Sequence, residues 1–96
     1  EEQELGRAVV RAVFQLKRAG TVAGCYVKDG KVVRGARCRV LRDGKVIAEG
    51  TIASLRHLKG DVREIQAGYE CGLTVSDFTG YQEGDEIQVF ELVQVG

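Results

Sequence analysis

Proline, methionine, tryptophan and asparagine are absent from this 96-residue chain, and histidine occurs once. Each absence removes a class of readings. Without proline there is no proline-rich segment, so the breaks between elements fall to the 13 glycines. One histidine and three cysteines, Cys25, Cys38 and Cys71, with no C-x-x-C spacing give no support to a zinc site, and no metal is expected. An odd number of cysteines makes no disulfide framework. They read as reduced thiols of a cytoplasmic protein, Cys38 as a core residue and Cys25 and Cys71, beside Gly24 and Gly72, as candidates to line a site. No apolar run approaches the roughly 20 residues that span a bilayer, and the acidic start carries no signal-peptide pattern, so no membrane association is expected. The start also lacks an initiating methionine, and the chain is expected to be a piece of a longer polypeptide. The motifs G-x-x-x-x-G-K-[ST], G-x-G-x-x-G, H-E-x-x-H and G-x-S-x-G are all missing. No catalytic residue and no cofactor are nominated on that ground, and the chain is not expected to be an enzyme.

What is present describes a folded β domain. Hydrophobic residues make 44% and charged residues 29% of the chain, enough for one core without cross-links. Short runs rich in Val, Ile, Thr and Tyr predict strands over Thr21 to Val27, Arg37 to Arg42, Lys45 to Glu49, Leu73 to Val75 and Glu86 to Val95. Asp29-Gly30 and Asp43-Gly44 each predict a two-residue hairpin turn, because Asp-Gly supplies positive φ, and Glu83-Gly84-Asp85 predicts a third turn. The acids of that third turn read as solvated. Strands at this spacing favour a small closed or split antiparallel β-barrel, with residues 1–6 a frayed extension and 7–96 a single domain, monomeric in solution. The segment Leu5 to Leu16 fits neither period cleanly. Leu5, Val9, Ala12, Val13 and Leu16 suit a helical face, while Ala8, Val10, Ala12, Phe14 and Leu16 alternate as in a strand; its β-branched and aromatic content favours an edge or closing strand.

The net charge of zero conceals a segregation. Residues 28–63 hold ten Lys or Arg against four Asp or Glu, whereas residues 64–96 hold seven acids and no base. This suits a polyanion on one face, or strands of the two segments neutralising each other across a sheet. The densest basic cluster, Arg56, His57, Lys59 and Arg63, adjoins the glycine-flanked stretch Gly68-Tyr69-Glu70-Cys71-Gly72, which predicts a tight, shaped loop. A cationic loop beside a small apolar, thiol-lined hollow suits an anionic ligand with a short apolar end. The few aromatics form no stacking platform for several bases; Phe78 and Phe90 are expected in the core, and Tyr69 either packs the loop or touches a ligand. Cys71 as a nucleophile would require a depressed thiol pKa.

The stretches Gly20-Thr21-Val22-Ala23-Gly24-Cys25-Tyr26-Val27, Val40-Leu41-Arg42-Asp43-Gly44, Ser54-Leu55, Asp61-Val62-Arg63-Glu64, Gly68-Tyr69-Glu70-Cys71-Gly72 and Glu83-Gly84-Asp85 stand in one order along the chain. Together they resemble the C-terminal (C2) domain of bacterial translation initiation factor 2, a translational GTPase. The resemblance implies an all-β fold, a six- to seven-stranded barrel similar to domain II of elongation factors, that binds the 3′ acceptor end and formylmethionyl group of initiator tRNA. It implies a GTPase domain elsewhere in the whole factor, and the ribosome as a partner through that factor. It also implies a binding region at Cys25, Arg56, His57, Leu58, Lys59, Glu70, Cys71 and Gly72. His57 and Leu58 depart from the second base and aromatic ring that relatives carry there. The different reading, a barrel that docks on ribosomal RNA or a protein without sensing the acyl group, uses the same basic face. The absence of asparagine and the excess of arginine over lysine point weakly to a thermophilic source.

Overall fold

A computed structural model describes residues 2–17, 20–57 and 60–92. The strands are β1 (Glu2–Leu16), β2 (Gly20–Val33), β3 (Arg37–Arg42), β4 (Lys45–His57), β5 (Gly60–Asp61), β6 (Glu64–Gln66), β7 (Glu70–Val75) and β8 (Glu86–Leu92). They pair in the order β1-β8-β3-β4-β7-β2-β6, and β1 also pairs β2, closing six strands into an antiparallel barrel. β5 and β6 are short additions on β4 and β2. The all-β barrel anticipated from the turn spacing is therefore the fold, and Leu5 to Leu16 lies in its closing strand.

The ambiguous periodicity of that strand has a physical cause. Ala8 and Val10 are buried, but the register with β2 shifts between Val10 and Ala12, so that Arg11 is an extra, bulged residue. Beyond the bulge the parity reverses. Val13 packs on the core, while Phe14 and Leu16, expected inward with Ala12, are exposed.

The Asp43-Gly44 turn forms as expected: Arg42 pairs with Lys45, and both turn residues have positive φ, 53° and 79°. Asp29-Gly30 does not turn. β2 runs unbroken through it, and the same dipeptide instead makes a bulge in which Lys28 is skipped between the pairs Arg7–Asp29 and Ala8–Val27. Gly30 is needed there for close approach, since a Cβ on it would collide with the Leu5 carbonyl oxygen.

β1 begins at Glu2, where fraying through residue 6 was expected. Glu2, Gln3 and Glu4 pair with Leu92, Glu91 and Phe90, and their side chains are tied in as well. Arg39 binds Glu2, while Arg7 and Gln88 donate to Glu4 at 3.1 and 3.0 Å. Glu1 and residues 93–95 of the expected last strand lie outside the described residues.

The interior holds Ile52, Leu55, Leu73, Ile87, Val10, Val40 and Val89, with Cys38 fully buried as anticipated. Phe90 is buried under the Arg39 guanidinium, 4.2 Å from its ring centroid, and half-buried Phe78 packs edge-on against Tyr81 at 5.0 Å. Cross-sheet neutralisation accounts for part of the basic segment. Lys28 meets Glu86 at 3.9 Å, Lys31 meets Glu64 at 3.7 Å and Arg42 meets Asp85 at 2.8 Å. Asp85 is consequently not the solvated turn acid expected: it is 2% exposed and accepts from Arg42 Nε, Arg42 Nη2 and the Gln82 amide at 2.8–2.9 Å. These hydrogen bonds, the guanidinium above all, hold its carboxyl below the usual aspartate range.

Candidate functional site

Four neighbouring strands put one residue each into a row on the outer barrel surface. Ala12 on β1 faces Gly24 on β2, Gly24 faces Gly72 on β7, and Gly72 faces Arg56 on β4. Partners directly opposite in a ladder share a face, so the two glycines leave the middle of the row without side chains. The result is an open hollow of about 720 Å³, bordered by Arg11, Ala12, Phe14 and Tyr26 on one side and by Arg56, His57, Tyr69 and Glu70 on the other. A Cβ on Gly24 would stand 2.8 Å from Phe14 Cε2, which places that ring over the glycine floor.

Six of the eight residues nominated from the resemblance border this hollow: Cys25, Arg56, His57, Glu70, Cys71 and Gly72. Leu58 and Lys59 lie outside the described residues. Arg63, from the same basic cluster, is not among the lining residues. Arg56 and His57 sit at the end of β4 and Glu70 to Gly72 begin β7, so both stretches expected as loops are ladder residues held to about a strand spacing. Between β6 and β7, Gly68 takes φ 95° and its amide donates to the Val27 carbonyl at 2.9 Å, which sets Tyr69 on the rim, 56% exposed.

His57 bridges the two stretches. Its Nδ1 lies 2.8 Å from the Glu70 carbonyl oxygen, which can only accept, so Nδ1 carries a proton there and Nε2 is left for other partners. Tyr69 packs edge-on against the imidazole at 5.7 Å. Arg56 Nε lies 3.5 Å from Asp61 in an exposed ion pair that water weakens.

Cys25 and Cys71 face each other in the ladder directly under the floor, and the alternation turns their side chains inward. They are 1% and 6% exposed. Burial pushes the Cys71 thiol up to about 11 and the Cys25 thiol higher still, opposite to what a nucleophile needs. The floor is thus glycine backbone under an aromatic ring, where thiols had been expected. Arg11, Phe14 and Tyr26 had not been singled out. The alternation runs unbroken through Arg11 in the sequence, and only the bulge in the structure puts Arg11 and Phe14 on the rim.

Over 92 residues, 96% of its length, the chain is 50% identical to "Translation initiation factor IF-2" of Aquifex aeolicus; the share is 52% over 95 residues for the factor of Caldanaerobacter subterraneus subsp. tengcongensis. The chain corresponds to a part of translation initiation factor IF-2. The IF-2 of Gloeothece citriformis is 56% identical over 92 residues. The chain spans only 11, 13 and 8% of these three IF-2 proteins. No family model matches it. Among solved structures, a bacterial selenocysteine-specific elongation factor, EF-Sec, superposes with a TM-score of 0.74 over 88% of this chain and 14% of its own, at 21% identity, a likeness of fold alone.

Proposed function

We propose that this barrel binds the 3′ acceptor end and formylmethionyl group of initiator tRNA and selects the formylated acyl group, corresponding to the C2 domain of the factor. The observation that carries the reading is the convergence of Arg56, His57, Glu70 and Gly72 on one glycine-floored hollow. Arg56 offers a charge to the acceptor-end phosphates, and Glu70 accepts from a ribose hydroxyl. The acyl group lies on the Gly24–Gly72 floor against Phe14. Formylation removes the α-amino charge, and an ammonium left without a partner on that floor costs about 1–3 kcal/mol, roughly fivefold to 150-fold in affinity. Catalysis is not part of this role; GTP hydrolysis and ribosome contact belong to the whole factor in the cytoplasm.

The test is an amide-resolved NMR titration with formylmethionyl-tRNA, paired with unformylated methionyl-tRNA. The expected result is a set of shifts at Cys25, Arg56, His57 and Glu70 to Gly72 that depends on the formyl group. Equal, diffuse shifts of basic residues with both ligands would establish the alternative, a general RNA-docking barrel.

A further inference from the structure

From the bulge in β1 we infer that Arg11 is a second phosphate-contacting residue, on the rim opposite Arg56, so that a single-stranded acceptor end is gripped at both sides of the glycine floor. The inference rests on the acceptor-end reading above and adds a residue and a geometry to it.

Arg11 is the residue that interrupts the alternation of β1, and a bulge re-aims the side chain it displaces. Here it sets the guanidinium 5.0 Å from the Tyr26 ring centroid, at the hollow's edge. Resting on an aromatic face stiffens the long side chain without neutralising it. Among the described residues Arg11 makes no ion pair, and Glu70, which faces Tyr26 across the ladder, does not reach it. Arg56, by contrast, shares its charge with Asp61. A fixed, unneutralised guanidinium beside an open floor is the arrangement that anion recognition requires.

The bulge is held from behind. The Val10 amide donates to the Asp85 carbonyl at 2.8 Å, and the Gly84 amide donates back to the Val10 carbonyl at 2.8 Å. That turn is itself locked by the pair of buried Asp85 with partly exposed Arg42, so an ion pair behind Val10 helps set where Arg11 stands. Ala12, next to Arg11, is three ladder steps from Arg56, roughly 14 Å at about 4.8 Å per step. A strand laid along the row would present different phosphates to the two guanidinium groups.

The experiment measures affinity for formylmethionyl-tRNA and methionyl-tRNA against salt concentration for the wild type, Arg11→Gln and Arg11→Lys. One lost phosphate contact lowers the slope of log K on log salt by about 0.7 for a single strand, so Arg11→Gln is expected to show that drop with both ligands, leaving the formyl preference intact. Arg11→Lys is expected to restore the slope. An unchanged slope in Arg11→Gln while the wild type binds overturns this inference alone. A weaker affinity that lysine does not rescue and salt does not register makes Arg11 a prop for Tyr26 and overturns it too. A wild type that binds neither RNA overturns the acceptor-end reading and this inference with it.

Discussion

Arg42 and Arg11 stand for the two ways this barrel treats positive charge. Arg42 gives the Nε–Nη2 edge of its guanidinium to buried Asp85 and a further bond from Nη2 to the Gly80 carbonyl at 2.9 Å, all within the molecule. Arg11 lies on a ring and pairs with no carboxylate among the described residues. The first arrangement fixes a turn and neutralises the charge on an internal carboxylate; the second leaves the charge available at a floor with no side chains. Segregation of charge along the sequence is therefore a poor guide to function by itself, because the same basic segment contains residues of the first kind, such as Arg39, held by Glu2 and Glu49.

Removing the satisfied corner should have the largest effect on the fold. Asp85→Ala is expected to lose about 2–3 kcal/mol, the worth of charge-assisted hydrogen bonds in a buried turn, read as a lower urea midpoint. The pH dependence sharpens the point. Because the folded carboxyl titrates below the ordinary 3.8, its contribution is complete above that value and fades as pH falls through the lower folded value. The wild type should lose this stability in acid, and the gap between it and Asp85→Ala should narrow there. If the gap holds constant down to acid pH, the ion pair is not what stabilises the turn.

At the open site the corresponding change is to fill the floor. In Gly72→Leu the new Cβ would meet Val22 Cγ1 at 3.4 Å, a contact that small shifts absorb, while the rest of the side chain occupies the hollow. Affinity for formylmethionyl-tRNA should fall at least about tenfold, or 1.4 kcal/mol, with the thermal midpoint nearly unchanged. Phe14→Ala should cost about threefold to tenfold in affinity, since the ring lies over Gly24, and little stability, since it is 52% exposed. Equal losses with formylated and unformylated ligand would remove Phe14 from acyl recognition. The smallest signal is expected from Cys71. With its thiol near 11, about one molecule in a thousand carries thiolate at pH 8, so iodoacetamide labelling should be very slow until the protein is denatured.

The parts of this molecule that were legible in its sequence are those set by local chemistry. Asp43-Gly44 makes its hairpin because nothing else approaches it, and no heavy atom lies within 4 Å of a Cβ built on Gly44. The identical dipeptide at 29–30 is overruled by the packing of Gly6 and Leu5 against it, a partner 24 positions away in the chain that no local pattern announces. The site divides the same way. Arg56, His57 and Glu70 to Gly72 stood out by charge and glycine content, whereas Arg11, Phe14 and Tyr26 join them only because β1 closes the barrel beside β2 and changes parity on the way. Asp85 was misread for a related reason: a Glu-Gly-Asp turn is ordinarily solvated, and its burial depends on Arg42 arriving from β3.

The one-residue excess at Arg11 also behaves like a reading frame written into the strand. Threading Arg11 into the ladder with no bulge would let inward and outward positions alternate without interruption from Ala8 to Leu16, carry Val13 outward, and direct Phe14 toward an interior already filled by Leu73 and Leu55. Substitutions at the rim adjust the site by degrees, but a frame error of one residue there would trade the outer face of the hairpin for its inner one.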